Sequence, residues 1–151
     1  MSEDLVIRAA TVEDLAEAAR IDREEMGADG YPLYFFRQAL SMFGDGFLVA
    51  MRGGDMLGEA FVGARATDPE TAELYSIVVD KASRGQGVGR RLTAAAIDWA
   101  RSKGCRRVVL TVVPENKPAR AVYEALGFQI EHREENYYGD GAPRLFMTRD
   151  C

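Results

Sequence analysis

The chain has 151 residues and a mass of 16.7 kDa, which indicates one domain with its own hydrophobic core and excludes a multidomain enzyme. Apolar residues make up 47% and charged residues 28%, and no apolar run reaches the roughly 18 residues that a membrane span requires, so we expect a soluble, folded protein. The net charge of −5 argues against broad nucleic-acid binding and mildly favours a cationic partner such as an amine.

The first half of the chain predicts strands and two helices. A capping pattern after Thr11 precedes residues with helical spacing, and Arg52–Asp55 is a glycine-rich connection of hairpin length. The predicted elements are a strand at Leu5–Ala9, a helix from Thr11 to about Met26, an aromatic segment Tyr31–Phe36 that enters a second helix ending before Gly44, and antiparallel strands at Phe47–Met51 and Met56–Ala64.

The second half predicts a parallel strand-helix-strand crossover and a final hairpin. The elements are a turn at Asp68–Glu70, a strand at Glu73–Val79, a helix from Val88 to about Gly104, a strand at Val108–Val113, a helix from Asn116 to Gly127, and strands at Phe128–Tyr138 and Leu145–Thr148. The fold class is therefore α+β, a single domain over residues 1–151 with a mixed sheet and helices on both faces.

Metal and thiol chemistry are not indicated. Residues 1–5 lack the basic segment and apolar stretch of a secretory signal, so we expect a cytoplasmic protein in which Cys105 and Cys151 stay reduced. The one histidine, His132, lies in a charged run without metal-ligand spacing, so no metal is expected. Any chemistry must use carboxylates, tyrosines, backbone groups or a cofactor.

The segment Arg84–Arg91, Arg-Gly-Gln-Gly-Val-Gly-Arg-Arg, precedes the crossover helix. Three glycines in five residues expose backbone N–H groups at a helix N-terminus, and this arrangement binds phosphate. Arg90 occupies the third glycine position of the dinucleotide fingerprint, and no Gly-Lys-Ser/Thr follows, so both familiar nucleotide motifs are excluded. The alternative is a turn that serves only helix entry, but Lys81 and the flanking arginines favour an anion site.

Two motifs resemble those of the GNAT superfamily of acetyl-coenzyme A-dependent N-acetyltransferases. Arg84–Gly89 resembles its R/Q-x-x-G-x-G/A motif, and Asn116, Ala119, Tyr123 and Gly127-Phe128 resemble its second signature, N-x-x-A-x-x-x-Y-x-x-x-G-F. The similarity extends over nearly the whole chain. It implies a three-layer fold with about four helices, acetyl-CoA as cosubstrate, no metal, and direct attack of a primary amine on the acetyl group.

The resemblance also implies which residues hold the cosubstrate. The backbone of Ile77, Val78 and Val79 would pair with the pantetheine arm, where the strand is bulged and splays from its neighbour Val108–Val113. Asn116 caps its helix, contacts the cosubstrate, or does both. The pyrophosphate would be held by the backbone amides of the loop, made of Arg84, Gly85, Gln86, Gly87, Val88 and Gly89, with Arg90 beside them.

Two residues are candidates for proton transfer. Glu73 lies eleven residues before Arg84, where some family members carry the base; a protonated amine, with a pKa near ~8 for an α-amine and ~10.4 for lysine, cannot attack a thioester. Its alternative role is that of a solvated glutamate at a strand end. Tyr123 matches the tyrosine that protonates the leaving thiolate, and its alternative role is that of a core aromatic residue.

The end of the chain resembles that of the ribosomal-protein N-terminal alanine acetyltransferases and their archaeal relatives. That resemblance implies Tyr137 and Tyr138 beside an incoming peptide, and we expect the Tyr31–Phe36 segment, with Tyr31 and Tyr34, to form the opposite wall. The two tyrosines of the tail have an alternative role in packing a hairpin. Several members of that group carry an acidic residue where this chain has Thr111, so either Glu73 replaces it or the substrate differs.

Three functions remain open. A protein or peptide N-terminal α-amine is the favoured acceptor. The first alternative is a small-molecule amine, such as a polyamine, an amino acid or an aminoglycoside, which the acidic net charge suits. The second is a non-catalytic CoA-binding sensor. The expected assembly is a monomer or a homodimer.

Overall fold

A computed structural model describes residues 4–151 of the protein. Seven strands form one sheet in the order β1-β2-β3-β4-β5-β7-β6, with four α-helices in the described residues. The bounds are β1 Leu5–Ala9, α1 Leu15–Met26, α2 Leu33–Phe43, β2 Phe47–Arg52, β3 Asp55–Arg65, β4 Asp68–Val79, α3 Val88–Ser102, β5 Arg107–Val112, α4 Lys117–Ala125, β6 Gln129–Glu134 and β7 Arg144–Asp150. The predicted α+β class with a mixed, mostly antiparallel sheet is confirmed.

The helices cover both faces of the sheet, as expected from the sequence. Apolar side chains of α3 and α4 pack on one face, where Leu92 and Val108 are fully buried. Those of α1 and α2 pack on the other face, where Ile21, Phe36 and Phe61 form the centre of an aromatic core. Each helix buries one apolar stripe against the sheet, which gives three layers. No helix within residues 4–151 has the length and apolar composition needed to span a membrane.

Local signals fix the helix starts. The α1 helix follows a short 3-10 turn at Val12–Asp14, in which the Asp14 carboxylate accepts the Thr11 N–H at 2.8 Å. The α4 helix starts where Asn116 Oδ1 accepts the Ala119 N–H at 3.3 Å, with Pro118 in the first turn. At these two starts a side chain accepts a backbone donor that has no partner in the helix, as predicted.

Two predicted boundaries are wrong. Asp68–Glu70 is not a turn, because β4 already begins at Asp68 and the Glu70 carbonyl accepts the Arg106 N–H at 2.7 Å. A proline such as Pro69 is tolerated near the first residue of a strand. The strand predicted to run to Tyr138 ends at Glu134, since Asn136 has a positive φ of 54° and turns the chain. Tyr137 and Tyr138 therefore lie in the loop between β6 and β7.

The central parallel pair, β4 and β5, separates after three residues. The register runs from Thr71 opposite Arg107 to Glu73 opposite Val109, and no further residue of β4 pairs with β5 within residues 4–151. The register between β3 and β4 shifts at the same point, because Tyr75 is an extra residue in β4. The expected bulge and splay are confirmed. The carboxyl end of β4 thus has a free backbone edge that faces a gap in the sheet.

Candidate active site

A cavity of about 580 Å³ lies beside the free end of β4, on the face covered by α3 and α4. Its lining combines the end of β4, the glycine-rich loop and the start of α4. The structure brings together here ten of the residues that the sequence nominated: Ile77, Val79, Arg84, Gly85, Gly87, Val88, Gly89, Arg90, Asn116 and Tyr123.

Two of the residues nominated for cosubstrate binding do not line this cavity. The Val78 side chain is buried on the opposite face, against α1 and α2, because side chains alternate along a strand. Only its backbone can take part in binding. The Gln86 side chain turns away to accept a hydrogen bond from Arg52 Nη1 at 2.8 Å.

The glycine-rich loop forms an open anion cradle at the start of α3. Gly85 and Gly87 have φ values of 78° and 80°, a left-handed conformation that favours glycine. A Cβ atom added at either position would meet nothing within 4 Å, so the space in front of the backbone is free. The first intrahelical bond runs from the Arg91 N–H to the Gly87 carbonyl, which leaves the preceding amides available to a phosphate.

Arg84 fastens this loop to helix α1. Its guanidinium forms an ion pair with the Glu25 carboxylate, whose second oxygen accepts the Lys81 N–H at 3.0 Å. Glu25 lies 59 positions before Arg84 in the chain, and no local pattern in the sequence indicated this contact. The pair holds the anion cradle against α1, and the Arg84 side chain remains 60% exposed for contact with a bound phosphate.

Tyr123 places a protonated hydroxyl at the cavity wall. The residue is 6% exposed, and its ring packs edge-on against Phe128 with the ring centroids 5.9 Å apart. Burial raises the pKa of Tyr123 to about 12. The phenol therefore keeps its proton at physiological pH, which suits a hydrogen-bond donor or general acid and excludes a role as a base there.

Glu73 lies on the other face of the sheet, at the point where the gap begins. Its strand neighbours Ala72 and Leu74 pack toward α3, so the Glu73 side chain points toward the face of α1 and α2. Arg65 Nε donates to Glu73 Oε1 at 2.8 Å, and the pair is mostly buried. This partner was not expected from the sequence. The carboxylate is thus held on the α1 and α2 face, at the end of the β4–β5 register.

Aromatic side chains surround the gap on the Glu73 face. The Tyr31 ring stacks on Phe35 with centroids 4.3 Å apart, and the Tyr31 N–H donates to Asp22 Oδ2 at 2.8 Å. From the β6–β7 loop, the Tyr138 hydroxyl lies 2.9 Å from Thr111 Oγ1, and the Tyr137 and Tyr138 rings lie 4.8 Å apart. These contacts form two aromatic walls.

Burial raises the pKa values of tyrosines in both walls. Burial raises the pKa of the Tyr31 phenol, the nearby Tyr138 phenol adds to the rise, and a contact with the Ser76 hydroxyl opposes it. Burial and the neighbouring Glu73 charge likewise raise the pKa of Tyr137. Tyr31 packs against Phe61, and Glu73 and Thr111 point to that same face of the sheet, so Tyr31, Glu73 and the Thr111-bound Tyr138 lie on one side of the gap. Tyr34 is 67% exposed at the start of α2, and its ring pairs with no aromatic ring within residues 4–151.

A buried acid beneath the Tyr31 wall was missed by the sequence reasoning. Glu59 on β3 is 1% exposed, and neither carboxyl oxygen has a hydrogen-bond partner within residues 4–151. Burial and the nearby Asp22 charge raise the pKa of Glu59 to about 9, so the group is neutral at pH 7. A single charged residue inside the apolar run Met56–Ala64 was the available signal.

The described part of the chain contains no cluster of three or more histidine, cysteine, aspartate or glutamate side chains that could hold a metal. The groups at the gap are an amide cradle, a free strand edge, one protonated phenol and one carboxylate. Together they can hold a phosphate-bearing cosubstrate on one face and a small polar acceptor on the other. Such a site supports proton and group transfer between the two faces.

Comparison with known proteins gives a consistent result. Residues 11–128 match the model of the acetyltransferase (GNAT) family. The chain is 32% identical over 152 residues to the N-alpha-acetyltransferase RimI of Mycobacterium tuberculosis, covering 99% of this chain and 94% of the relative. It is 31% identical over 145 residues to a mycothiol acetyltransferase of Amycolatopsis mediterranei, covering 91% of this chain but only 46% of that protein.

Among solved structures, yncA of Salmonella typhimurium with its cofactor acetyl-CoA superposes with a TM-score of 0.82. Its sequence is 25% identical, and the match covers 98% of this chain and 94% of that chain. The three-layer fold expected from the two motifs is confirmed. The open cradle at Gly85 and Gly87 has the geometry of a phosphate site.

Proposed function

Because the chain belongs to the GNAT acetyltransferase family, we propose that it transfers an acetyl group from acetyl-CoA to the α-amine at a protein or peptide N-terminus. The observation that carries this proposal is the gap between β4 and β5. On one side it has the end of β4, which lines the cavity below the glycine-rich loop, and on the other side Thr111 of β5, whose hydroxyl contacts Tyr138. Two substrates can thus enter from opposite faces and meet within the sheet.

The protein supplies the binding groups for the donor. Acetyl-CoA brings the reactive thioester. The amides at the start of α3 hold its pyrophosphate, and Asn116 lies at the same cavity wall. The free edge of β4 at Ile77–Val79 pairs with the pantetheine arm as an added strand would. These contacts orient the thioester toward the gap and exclude water from one side of it.

Two side chains transfer protons, Glu73 as the base and Tyr123 as the acid. Glu73, directly or through water, accepts the proton that the acceptor amine must lose before it attacks. Its partner Arg65 fixes the carboxylate in place, and an arriving ammonium competes with that guanidinium for the same oxygens. Tyr123 donates its proton toward the departing thiolate, whose conjugate thiol has a pKa near ~8.5.

The acceptor groove favours an α-amine. Tyr31 forms one wall, and Tyr137 with Tyr138 forms the other, so the groove offers hydroxyls and ring faces to the first residues of a peptide. An α-amine has a pKa near ~8 and is partly neutral at pH 7.5, whereas lysine at ~10.4 is almost fully protonated. The similarity to the N-alpha-acetyltransferase RimI over nearly the whole chain supports the same class.

Product identification tests this function. The purified protein is incubated with acetyl-CoA, a peptide library and an amine library, and acetylated products are identified by mass spectrometry. We expect peptides carrying an N-terminal acetyl group, and a strong decrease with the Tyr123→Phe variant as the matched control. Efficient acetylation of spermidine or an aminoglycoside, with inert peptides, would overturn the choice of acceptor.

A second candidate is acetylation of a small-molecule amine. The similarity to a mycothiol acetyltransferase and the net charge of −5, which suits a polycation, favour it. The amine library described above contains polyamines, amino acids and aminoglycosides and therefore separates the two candidates. A CoA-binding sensor would bind the cosubstrate without consuming thioester in the presence of either library.

A further inference from the structure

We propose that Thr111 is a positioning residue that holds the Tyr138 phenol over the acceptor side of the β4–β5 gap. This inference rests on the proposed function and concerns how that site presents the acceptor. Its basis is the 2.9 Å contact between the Thr111 and Tyr138 hydroxyls, which joins the β6–β7 loop to the central strand β5.

Thr111 occupies the right place on β5 for this role. Val108, Leu110 and Val112 pack toward α3 and α4, so Thr111 faces the opposite side, the side of Glu73. It lies two residues beyond Val109, the last residue of β5 that pairs with β4. The Thr111 hydroxyl therefore stands at the edge of the gap, where the acceptor amine has to enter.

The Tyr138 side chain has few other contacts that would fix the orientation of its phenol. It lies in a loop and is 59% exposed, and within the described residues its hydroxyl makes no other hydrogen bond. Its ring has Arg144 on one face at 5.2 Å, a contact that leaves the direction of the phenol free. An exposed tyrosine with one aromatic neighbour samples several rotamers. The bond to Thr111 selects the rotamer that points across the gap.

The opposite wall has its own anchors. Asp22 holds the Tyr31 backbone, and Phe35 stacks on the Tyr31 ring. The gap thus has Tyr31 on the β4 side and Thr111 and Tyr138 on the β5 side. All three groups are neutral hydroxyls that both donate and accept hydrogen bonds, which suits an uncharged amine and the first peptide group of an acceptor.

Steady-state kinetics of a Thr111→Val variant tests the role, since valine keeps the shape and removes the hydroxyl. We expect the acceptor KM to rise about threefold to tenfold, the effect of losing one hydrogen bond, with kcat and the acetyl-CoA KM within about twofold of wild type. The Thr111→Ser variant keeps a hydroxyl and should restore most of the acceptor affinity. A valine variant with an unchanged acceptor KM overturns the proposal.

A double-mutant cycle with Tyr138→Phe separates positioning from general destabilisation. If Thr111 acts through the Tyr138 hydroxyl, adding Thr111→Val to Tyr138→Phe should change the acceptor KM by less than about twofold. Tyr137→Phe is the matched control, because Tyr137 has no bond to Thr111 within the described residues. When Tyr137→Phe is combined with Thr111→Val, the fold-changes in acceptor KM should multiply. If the fold-changes in acceptor KM multiply in both cycles, the result contradicts the proposal.

The cycle is measured with whichever amine the wild type acetylates best. If that amine is a polyamine rather than a peptide, the proposed acceptor class fails while the coupling of Thr111 and Tyr138 is still decided by the same KM values. If wild type acetylates peptides and the cycle shows no coupling, the positioning role alone is overturned. If no amine is acetylated, both proposals fail, because there is then no acceptor for Thr111 to position.

Discussion

Arg65 and Glu73 form an ion pair at the point where the β4–β5 register ends, with 2.8 Å between Arg65 Nε and Glu73 Oε1. Pairing with Glu73 raises the pKa of Arg65, so the guanidinium stays charged at every accessible pH. The carboxylate nearest the gap is therefore oriented before any acceptor arrives. The pair can serve proton transfer, through the Glu73 carboxylate, or hold β3 and β4 together. Substitutions of the two residues distinguish these roles.

Glu73→Gln should lower kcat/KM for the acceptor mainly at low pH, where the amine arrives protonated and needs a base. A decrease of about 10²-fold at pH 6.5, shrinking toward pH 9, is expected from general-base catalysis. The pH–rate profile of wild type and variant checks this. Arg65→Gln is the matched control, because it breaks the same pair and keeps the carboxylate. Equal pH profiles for the two variants would show that the pair is only structural.

Tyr123→Phe should slow turnover and leave acetyl-CoA binding nearly intact. The hydroxyl is the only group lost, and a general acid contributes about 10²-fold or more to the rate. With the pKa of Tyr123 near 12, wild type should show no loss of kcat from this group up to about pH 10. Calorimetry of acetyl-CoA binding together with the pH dependence of kcat checks both parts. A variant with wild-type kcat removes Tyr123 from the mechanism.

Gly87→Glu should abolish acetyl-CoA binding in a folded protein. Gly87 has a φ of 80°, and a side chain there projects into open space in front of the amide cradle. Glutamate adds like-charge repulsion toward a pyrophosphate. Gly87→Ala is the control for backbone strain, which costs on the order of 1 kcal/mol for a non-glycine residue in this conformation. If calorimetry gives the two variants the same affinity, charge at the cradle is irrelevant.

Glu59 should make the folded state less stable as pH rises. Its pKa is about 9 in the folded protein, against an ordinary glutamate value of 4.5, so the folded state retains a proton that the unfolded state loses. The free energy of unfolding therefore falls between about pH 4.5 and 9, by up to about 1.4 kcal/mol per pH unit. Glu59→Gln should flatten this dependence. Thermal unfolding at pH 5, 7 and 8.5 checks it, and parallel curves for both proteins contradict the prediction.

Local motifs made much of the fold and cofactor cavity predictable from sequence. The glycine-rich loop and the cap at Asn116 depend on neighbours within a few residues, and Tyr123 follows from the helix that Asn116 starts. The bulge of β4 and its separation from β5 were predicted from the family resemblance. Asp68 was misassigned because proline and acidic residues are frequent in turns, whereas here Asp68 pairs with Arg65 of the neighbouring strand β3.

Contacts between distant segments were less predictable, on the cosubstrate side as well as on the acceptor side. Arg84 meets Glu25 across 59 positions and Tyr138 meets Thr111 across 27, and nothing in the local pattern of either segment encodes the partner. The Glu59 carboxyl is buried only because α1 and α2 cover that face of the sheet. These features depend on how the layers pack, which propensity and periodicity do not specify.

The most direct test of the central claim uses one peptide that carries both a free N-terminal α-amine and an internal lysine. After incubation with acetyl-CoA, tandem mass spectrometry locates the added acetyl group, and a peptide with a blocked N-terminus serves as control. The account predicts acetylation of the α-amine alone and none of the blocked peptide. Acetylation of the lysine in both peptides, or of neither peptide while a small amine is consumed, would contradict it.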